Sequence, residues 1–525
     1  MTIAPWRYLW FAGCLLAAGC FAPNAGAQKT NSPLATIRVG TRPLGHQIPR
    51  DFVGFSLEVS TAGQGLPTPT QSGTVSGKLA GVPEYALGAP GAPNEGFFQF
   101  MRNLGPGVLR LGGNSQDNTC WDPSGAPHRD WCKGTLTAGV FQLFAEAARA
   151  SGWRLIVGLN LKQDSPSWAL DEVTQGIAKA IEPAQVVGLE PGNEPDLFNR
   201  GGFRPTTYSV ADFVKEFTAY EKVFAANPVA RRYGVAGPAI CCRWDNARDL
   251  GAIIDGVRAS KLKVATVHNY PLTTCGGRSV TTQQLLAPEL MTHFKQASRA
   301  LVAAARRRHL PIALAETNSA SCGGMPGVSN SFASALWGLD WLYTAAQEGF
   351  SEVNFHTSYR AGGSSYDPID SYGRTNGARH LQYDNIARPL YYAMYLFARH
   401  ASGEYLVPVA MHAAANVRAY ATTACADCGV NLVVINKDLS ASGRVSVHVE
   451  GRTSAARLLL LKAPKLDAQS PEEIGYGGER FDSSGHIGNP ASEAIQADSQ
   501  GNYSFELPNA AAAVLTIPVA ARNYK

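Results

Sequence analysis

The 525-residue chain has little net charge: 46 basic and 41 acidic residues leave a formal +5. Its longest basic run is Arg306-Arg307-Arg308, which reads as a solvated helix end, so no nucleic-acid partner is expected. Beyond the N-terminus the sequence lacks an apolar stretch long enough to span a bilayer. No Gly-x-Gly-x-x-Gly follows the first strand-like run, so the signature of a dinucleotide-binding open sheet is missing. There is no histidine cluster with metal-ligand spacing. The single Cys-x-x-Cys, Cys425 to Cys428, has neither a second such pair nor a nearby His. No cofactor and no metal are expected.

What the chain does have begins with a leader. Arg7 precedes an apolar stretch at 9–18, and Ala25-Gly26-Ala27 is a small-residue cleavage site. Residues 1–27 are therefore expected to be a signal peptide and the mature protein to be secreted or periplasmic. Leu16-Ala17-Ala18-Gly19-Cys20 also resembles a bacterial lipoprotein box, a second route that would anchor the chain through Cys20. Removing the leader discards Cys14 and Cys20 and leaves eight of the ten cysteines, an even number that suits an exported disulfide-bonded protein. Cys120 and Cys132 bracket a short loop and form a natural pair. Cys425 and Cys428 are read as a local disulfide or as free thiols. Cys241, Cys242, Cys275 and Cys322 follow predicted strands and are candidates for cross-links between loops, with the pairing left open.

Short apolar runs alternate with helical patterns. The runs lie at 52–60, 108–113, 155–160, 186–194, 233–239, 264–270, 312–318 and 352–358. They look like parallel strands covered on both faces. The helical segments lie at 136–152, 208–227, 288–308, 332–349 and 390–400. The second carries Phe213, Phe217, Tyr220 and Phe224 at three- and four-residue spacing. Eight strand-then-helix units over about 350 residues predict an α/β fold, a (β/α)8 TIM barrel spanning 51–400. After His400 the runs become strand-like with turns between them, which predicts an appended antiparallel β-sandwich at 401–525. Residues 35–40 are strand-like too, so 28–50 is expected to join that sandwich. The Gly-, Pro-, Ser- and Thr-rich stretch 61–93 reads as a long loop on the barrel's C-terminal face.

Polar residues gather where the predicted strands end: Glu58; Asn114 and Asp117; Asn193 and Glu194; His268, Asn269 and Tyr270; Glu316, Thr317 and Asn318; His356. In barrels of this kind the C-terminal strand ends build the active site. Two acids converging on one pocket, without metal ligands, point to glycoside hydrolysis. Glu190 and Glu194 are four residues apart on one predicted strand. Glu190 then lies one layer below and is structural, paired with Arg110, while Glu194 at the rim is the chemical residue.

Three motifs carry a family resemblance. "LRLGGNSQDNTCWDP", "LEPGNEPD" and "AETNSASCGGMPGVS" occur in this order. They resemble glycoside hydrolase family 79, the β-glucuronidases and heparanases of clan A. The resemblance implies retaining double displacement on terminal β-linked glucuronic acid, with Glu194 as acid/base and Glu316 as nucleophile. It further implies that Asn193 holds the sugar 2-hydroxyl and that Tyr270 hydrogen-bonds Glu316. Glu58 and Asp117 would bind sugar hydroxyls or, alternatively, hydrogen-bond within the barrel mouth. His356 completes the substrate-binding set. In "HTSYRAGGSSYDPI", Tyr366 and the backbone near Gly362 and Gly363 would receive the glucuronate carboxylate, with Tyr359 as the other candidate. Ser321 stands where vertebrate heparanases carry an aromatic residue, and the basic linker those enzymes excise is not seen. The alternatives are an endo-acting, heparanase-like enzyme on heparan-type polysaccharide, or another clan A retaining glycosidase. The expected partner is a glucuronic-acid-containing glycan or glycoside.

Overall fold

The computed structural model describes residues 33–60, 73–75, 78–80, 86–124, 132, 134–257, 262–357, 364–376 and 380–519. The leader, most of the 61–85 loop, and Tyr359, Gly362 and Gly363 lie outside them.

Eight strands close a barrel: Val53–Glu58, Val108–Gly112, Arg154–Leu159, Val186–Pro191, Val235–Ile240, Leu262–Asn269, Ile312–Thr317 and Glu352–Thr357. Neighbours in sequence are neighbours in the barrel, and every ladder is parallel. Each expected strand is present. The fourth, however, stops at Pro191, so Glu194 is not on the same pleat as Glu190. The chain leaves strand geometry at Gly192 (φ 82°).

The helices follow from their apolar spacing. Val210–Ala226 buries Phe213, Phe217, Tyr220 and Phe224, and its start is fixed by reciprocal bonds between Ser209 and Asp212. Phe332–Glu348 is buried almost all round because it lies between the barrel and the second layer. Its first turn donates Phe332 N–H to Ala468 O (2.8 Å) and Ala333 N–H to Leu466 O (2.9 Å). Near its end Tyr343 stacks on Tyr420 with centroids 4.8 Å apart.

That second layer is a sandwich. Its smaller sheet has the order Val409–Ala413, Ala35–Val39, Gly443–Val449, Asn502–Leu507. The larger sheet is built around Val417–Thr423, Val430–Asn436, Ala511–Ile517 and Ala456–Lys462. Ala35, Ile37 and Val39 point into the apolar filling between the sheets. Leu44–Gln47 joins the larger sheet, so the N-terminal segment contributes to both. The pairing is antiparallel except where Ala35–Val39 runs parallel to Gly443–Val449. Among the described residues no helix is long and apolar enough to cross a membrane.

Inside the barrel, Val108, Ile156, Ala236, Val264, Ala313 and Ala315 form a small apolar layer. Arg110 follows Val108 by two residues and so projects into the next layer up. The apolar layer closes the floor, and charge begins immediately above it.

Candidate active site

Arg110 is fully buried and is the hub of that charged layer. Its Nε donates to Glu190 Oε2 (2.6 Å), and its Nη1 donates to Glu316 Oε2 (2.8 Å) and Ser56 Oγ (3.1 Å). Its Nη2 donates to Asn193 Oδ1 (2.8 Å). Thr266 Oγ1 donates to the other oxygen of Glu190 (2.7 Å). Burying Glu190 is tolerable because both its oxygens are occupied and its charge is neutralised.

Glu316 is the last residue but one of the seventh strand. Pairing shifts register at Val267/His268 and between Leu314 and Thr317, at the level where His268 and Glu316 emerge. Such irregularities re-aim side chains next to active sites. Tyr270 Oη donates to Glu316 Oε1 (2.9 Å). His356 Nδ1 lies 3.7 Å and His268 Nδ1 3.9 Å from Glu316 Oε2. Burial pushes the Glu316 carboxyl up. His356, His268, Arg110 and the Tyr270 hydrogen bond outweigh it and hold the group at about 2. Glu316 is therefore an ionised carboxylate in an enclosed site.

Glu194 sits at the rim with a left-handed backbone (φ 50°, ψ 52°), a conformation that costs a non-glycine residue on the order of 1 kcal/mol. The loop is fixed on both sides of it. Glu194 N–H donates to Ala239 O (2.9 Å). Asp196 is buried and accepts the N–H groups of Cys241 (3.3 Å), Cys242 (2.8 Å) and Arg243 (2.7 Å). Glu194 Oε1 lies 3.1 Å from His268 Nδ1. One donor atom from each of Glu194, His268 and Glu316 falls within 4.8 Å of the others. That is close enough to share a cation, but Arg110 and Tyr270 already occupy the oxygens of Glu316, so the cluster is arranged to handle protons.

These groups face a cavity of about 970 Å³. Glu58, Glu194, Tyr270, Glu316, His356 and Tyr366 all line it. Glu58 accepts the N–H groups of Asn114 (3.2 Å) and Ser115 (2.7 Å). Burial raises its pKa, but the neighbouring His356 more than reverses this and leaves Glu58 below the usual range. For His356, burial lowers the pKa, while Glu316 and Glu58 raise it above the ordinary value. Tyr366 stacks on Tyr270, with centroids 6.3 Å apart. The loops that follow the sixth and seventh strands are joined by a two-residue ladder, Leu272–Thr273 with Ala320–Ser321, and by the Cys275–Cys322 disulfide. Cys120 pairs with Cys132 and Cys425 with Cys428.

Two expected substrate contacts are placed differently. Asp117 does not line the cavity; it is buried, and its oxygens accept the N–H groups of Leu161 (2.7 Å), Lys162 (3.0 Å) and Asn193 (2.9 Å). Those oxygens are used to hold loop backbone, which is the barrel-mouth alternative. Asn193 stands behind the cavity wall, between Arg110 and Asn114. Gly363 lies outside the described residues. Two features escaped the sequence reading: the second carboxylate on Arg110 and the bridging position of His268. The signal for His268 was present in the polar strand end His268-Asn269-Tyr270.

No family model matches the sequence. The chain is 28% identical to a β-glucuronidase of Neurospora crassa over 352 residues, covering 59% of this chain and 61% of that protein. It is 26% identical to an Aspergillus niger β-glucuronidase over 381 residues, 66% and 69% of the two chains. A Gallus gallus heparanase is 25% identical over 242 residues, 45% of each. Among solved structures, a 4-O-α-L-rhamnosyl-β-D-glucuronidase from Fusarium oxysporum superposes with a TM-score of 0.69 at 19% identity, covering 92% of this chain and all of that one. A family 51 arabinofuranosidase from Xanthomonas axonopodis gives 0.64 at 16%, covering 93% and 100%. The barrel with its appended sandwich is the fold shared with these solved glycosidases. The curated proteins the chain is similar to are β-glucuronidases and heparanases, and it spans about three-fifths of the Neurospora protein's length.

Proposed function

We propose that the protein is a retaining β-glucuronidase that removes terminal β-linked glucuronic acid by double displacement. The observation that carries the reading is the approach of the Glu194 and Glu316 carboxylate oxygens to within 4.8 Å across the cavity. Retaining enzymes keep their carboxyls about 5–5.5 Å apart, whereas inverting enzymes need about 6.5–9.5 Å to admit a water. In the first step Glu316 attacks the anomeric carbon. The bond to the leaving oxygen breaks as Glu194 delivers a proton to it. In the second step Glu194 takes a proton from water, and the oxygen of that water displaces Glu316 from the anomeric carbon. Tyr270 and Arg110 hold Glu316 in place and ionised between turnovers.

The choice of sugar rests on the β-glucuronidase relatives and on Tyr366 in the cavity wall, three residues after Gly363, whose backbone is the expected donor. Arg200 and Arg278 stand at the rim and favour an acidic leaving group, which supports endo-cleavage of a uronate polysaccharide as the second reading. Three disulfides among the described residues support export, as a secreted or periplasmic protein.

The test is hydrolysis of nitrophenyl β-glucuronide against nitrophenyl β-glucoside, with a heparan chain in parallel. Donors built for a carboxylate and left unpaired cost about 1–3 kcal/mol each, so preference for the glucuronide of about 10²-fold or more is expected. Tyr366→Phe should reduce that preference. Glu316→Gln should abolish turnover, and a fluorinated glucuronide should label Glu316. Equal rates on the two sugars would reject the glucuronidase reading, and labelling of Glu190 would reject the assignment of the nucleophile.

A further inference from the structure

Among the described residues six cysteines are paired and two are not. The two free ones, Cys241 and Cys242, are adjacent in sequence, and both line the cavity that holds Glu194 and Glu316. The proposed hydrolysis uses neither. Their backbone is held by Asp196, which accepts three successive N–H groups from Cys241 to Arg243. Cys241 Sγ lies 3.9 Å from Asp196 Oδ2. Cys242 is exposed and Cys241 is partly covered, so reagents in the cavity can reach the pair from the Cys242 side.

The environment selects among thiol reagents. The Cys242 side chain, burial, and the negative charges of Glu194 and Asp196 push the Cys241 thiol far above its ordinary range. Cys241 therefore has almost no thiolate, and reagents that need one, such as alkylating agents and disulfides, meet a poor nucleophile. A ligand that takes two protonated thiols together is not penalised in this way. Once one sulfur is bound, the second is supplied at high effective concentration by the adjacent residue.

We propose that Cys241 and Cys242 form a dithiol site for a thiophilic trivalent centre of the arsenoxide class, and that filling it closes the cavity wall beside Glu194. The reaction balances without an oxidant. Two S–As bonds form, the As=O bond breaks, the two thiol protons leave on that oxygen as one water, and arsenic stays trivalent. The three disulfides have no S–H to offer and stay unmodified.

The experiment uses the chain without residues 1–27, and so without Cys14 and Cys20, with phenylarsine oxide and two readouts, native mass and glucuronide hydrolysis. The expected result is one adduct per chain, heavier by the arsenical less one water, with loss of hydrolysis. A dithiol such as 2,3-dimercaptopropanol should reverse both, and a monothiol at equal thiol concentration should not. Cys242→Ser, a change of one exposed atom, should abolish the adduct. No adduct on the folded wild type, or an adduct that survives Cys242→Ser, overturns the site. An adduct that leaves hydrolysis unchanged overturns the closure. The loss of activity rests on the glucuronidase reading, whereas the mass shift does not. A chain inactive on glucuronides that still binds the arsenical would fail the former and pass the latter.

Discussion

Arg110→Met removes the buried cation and keeps much of its length. The guanidinium touches two carboxylates, Glu190 at 2.6 Å and Glu316 at 2.8 Å, both shielded from water. Breaking a buried pair from one side leaves the other charge unsolvated and costs about 3–5 kcal/mol. That is a large part of the roughly 5–15 kcal/mol by which folded domains are stable. The pH dependence makes the test specific. Glu316 is held at about 2 against an ordinary 4.5. A carboxyl lowered on folding contributes stability that is present above its unfolded value and lost as pH falls through the folded one. Lowering from 4.5 to about 2 is worth about 3 kcal/mol, shared among His356, His268, Arg110 and Tyr270. Without Arg110 the Glu316 value rises and its part of that stability shrinks. The penalty of Arg110→Met should therefore be greatest above about pH 5 and diminish toward pH 3, where the wild type loses the same contribution. Urea midpoints of both proteins at neutral and acid pH measure it. Adding Glu190→Gln removes the orphaned charge while leaving an acceptor for Thr266, and should recover part of the loss. A penalty that is flat with pH, or a double variant no better than the single one, refutes the argument.

Other changes separate roles within the site. Tyr270→Phe deletes a hydrogen bond to a charged group, worth about 1.5–3 kcal/mol, so the acid limb of the kcat profile should move up by about one to two pH units; an unmoved limb would show that Tyr270 does not hold Glu316 ionised. Glu194→Ala should harm substrates with poor leaving groups far more than activated aryl glycosides, and azide should restore part of the second step; equal loss on both substrates would mark Glu194 as structural. Asp117→Ala should lower the unfolding midpoint, because three backbone N–H groups lose their acceptor, and should leave the preference for glucuronide over glucoside intact; a selective rise in KM for the glucuronide would return Asp117 to substrate contact.

The barrel was legible because parallel strands covered on both faces must be apolar throughout, and the runs at 108–113, 155–160, 186–194 and 312–318 end in Gly, Asn, Glu and Asn. The layering of Glu190 under the rim was legible for the same reason, since a charge inside such a strand needs a partner and Arg110 was near at hand. Other features depend on contacts that sequence spacing does not encode. Arg110 and Glu316 are 206 positions apart, and nothing local says that one guanidinium serves two acids. The strand carrying Glu190 looked continuous to Glu194, but Gly192 and the bond from Glu194 N–H to Ala239 O turn the rim residue out of the pleat. The resemblance offered Asp117 as a sugar ligand, with hydrogen bonds inside the barrel mouth as the alternative; its oxygens accept three backbone N–H groups, a use that no spacing in the sequence encodes. The pairing of Cys275 with Cys322 became visible only once two loops were seen side by side.

The proton count in the cavity follows from the same contacts. His356 stands between two carboxylates, with its Nε2 3.5 Å from Glu58 Oε1 and its Nδ1 3.7 Å from Glu316 Oε2. After burial, which lowers it, the strongest influence on His356 is the charge of Glu316, which raises it. In the proposed reaction that charge disappears when Glu316 becomes a glycosyl ester. The influence holding a proton on His356 then weakens at the moment when Glu58, its other partner, still carries its charge. The esterified site should thus bind protons less tightly than the free one, and the second displacement should tolerate a different pH range from the first. Single-turnover measurement of the two steps across pH decides it: coincident profiles would mean that His356 does not sense the state of Glu316.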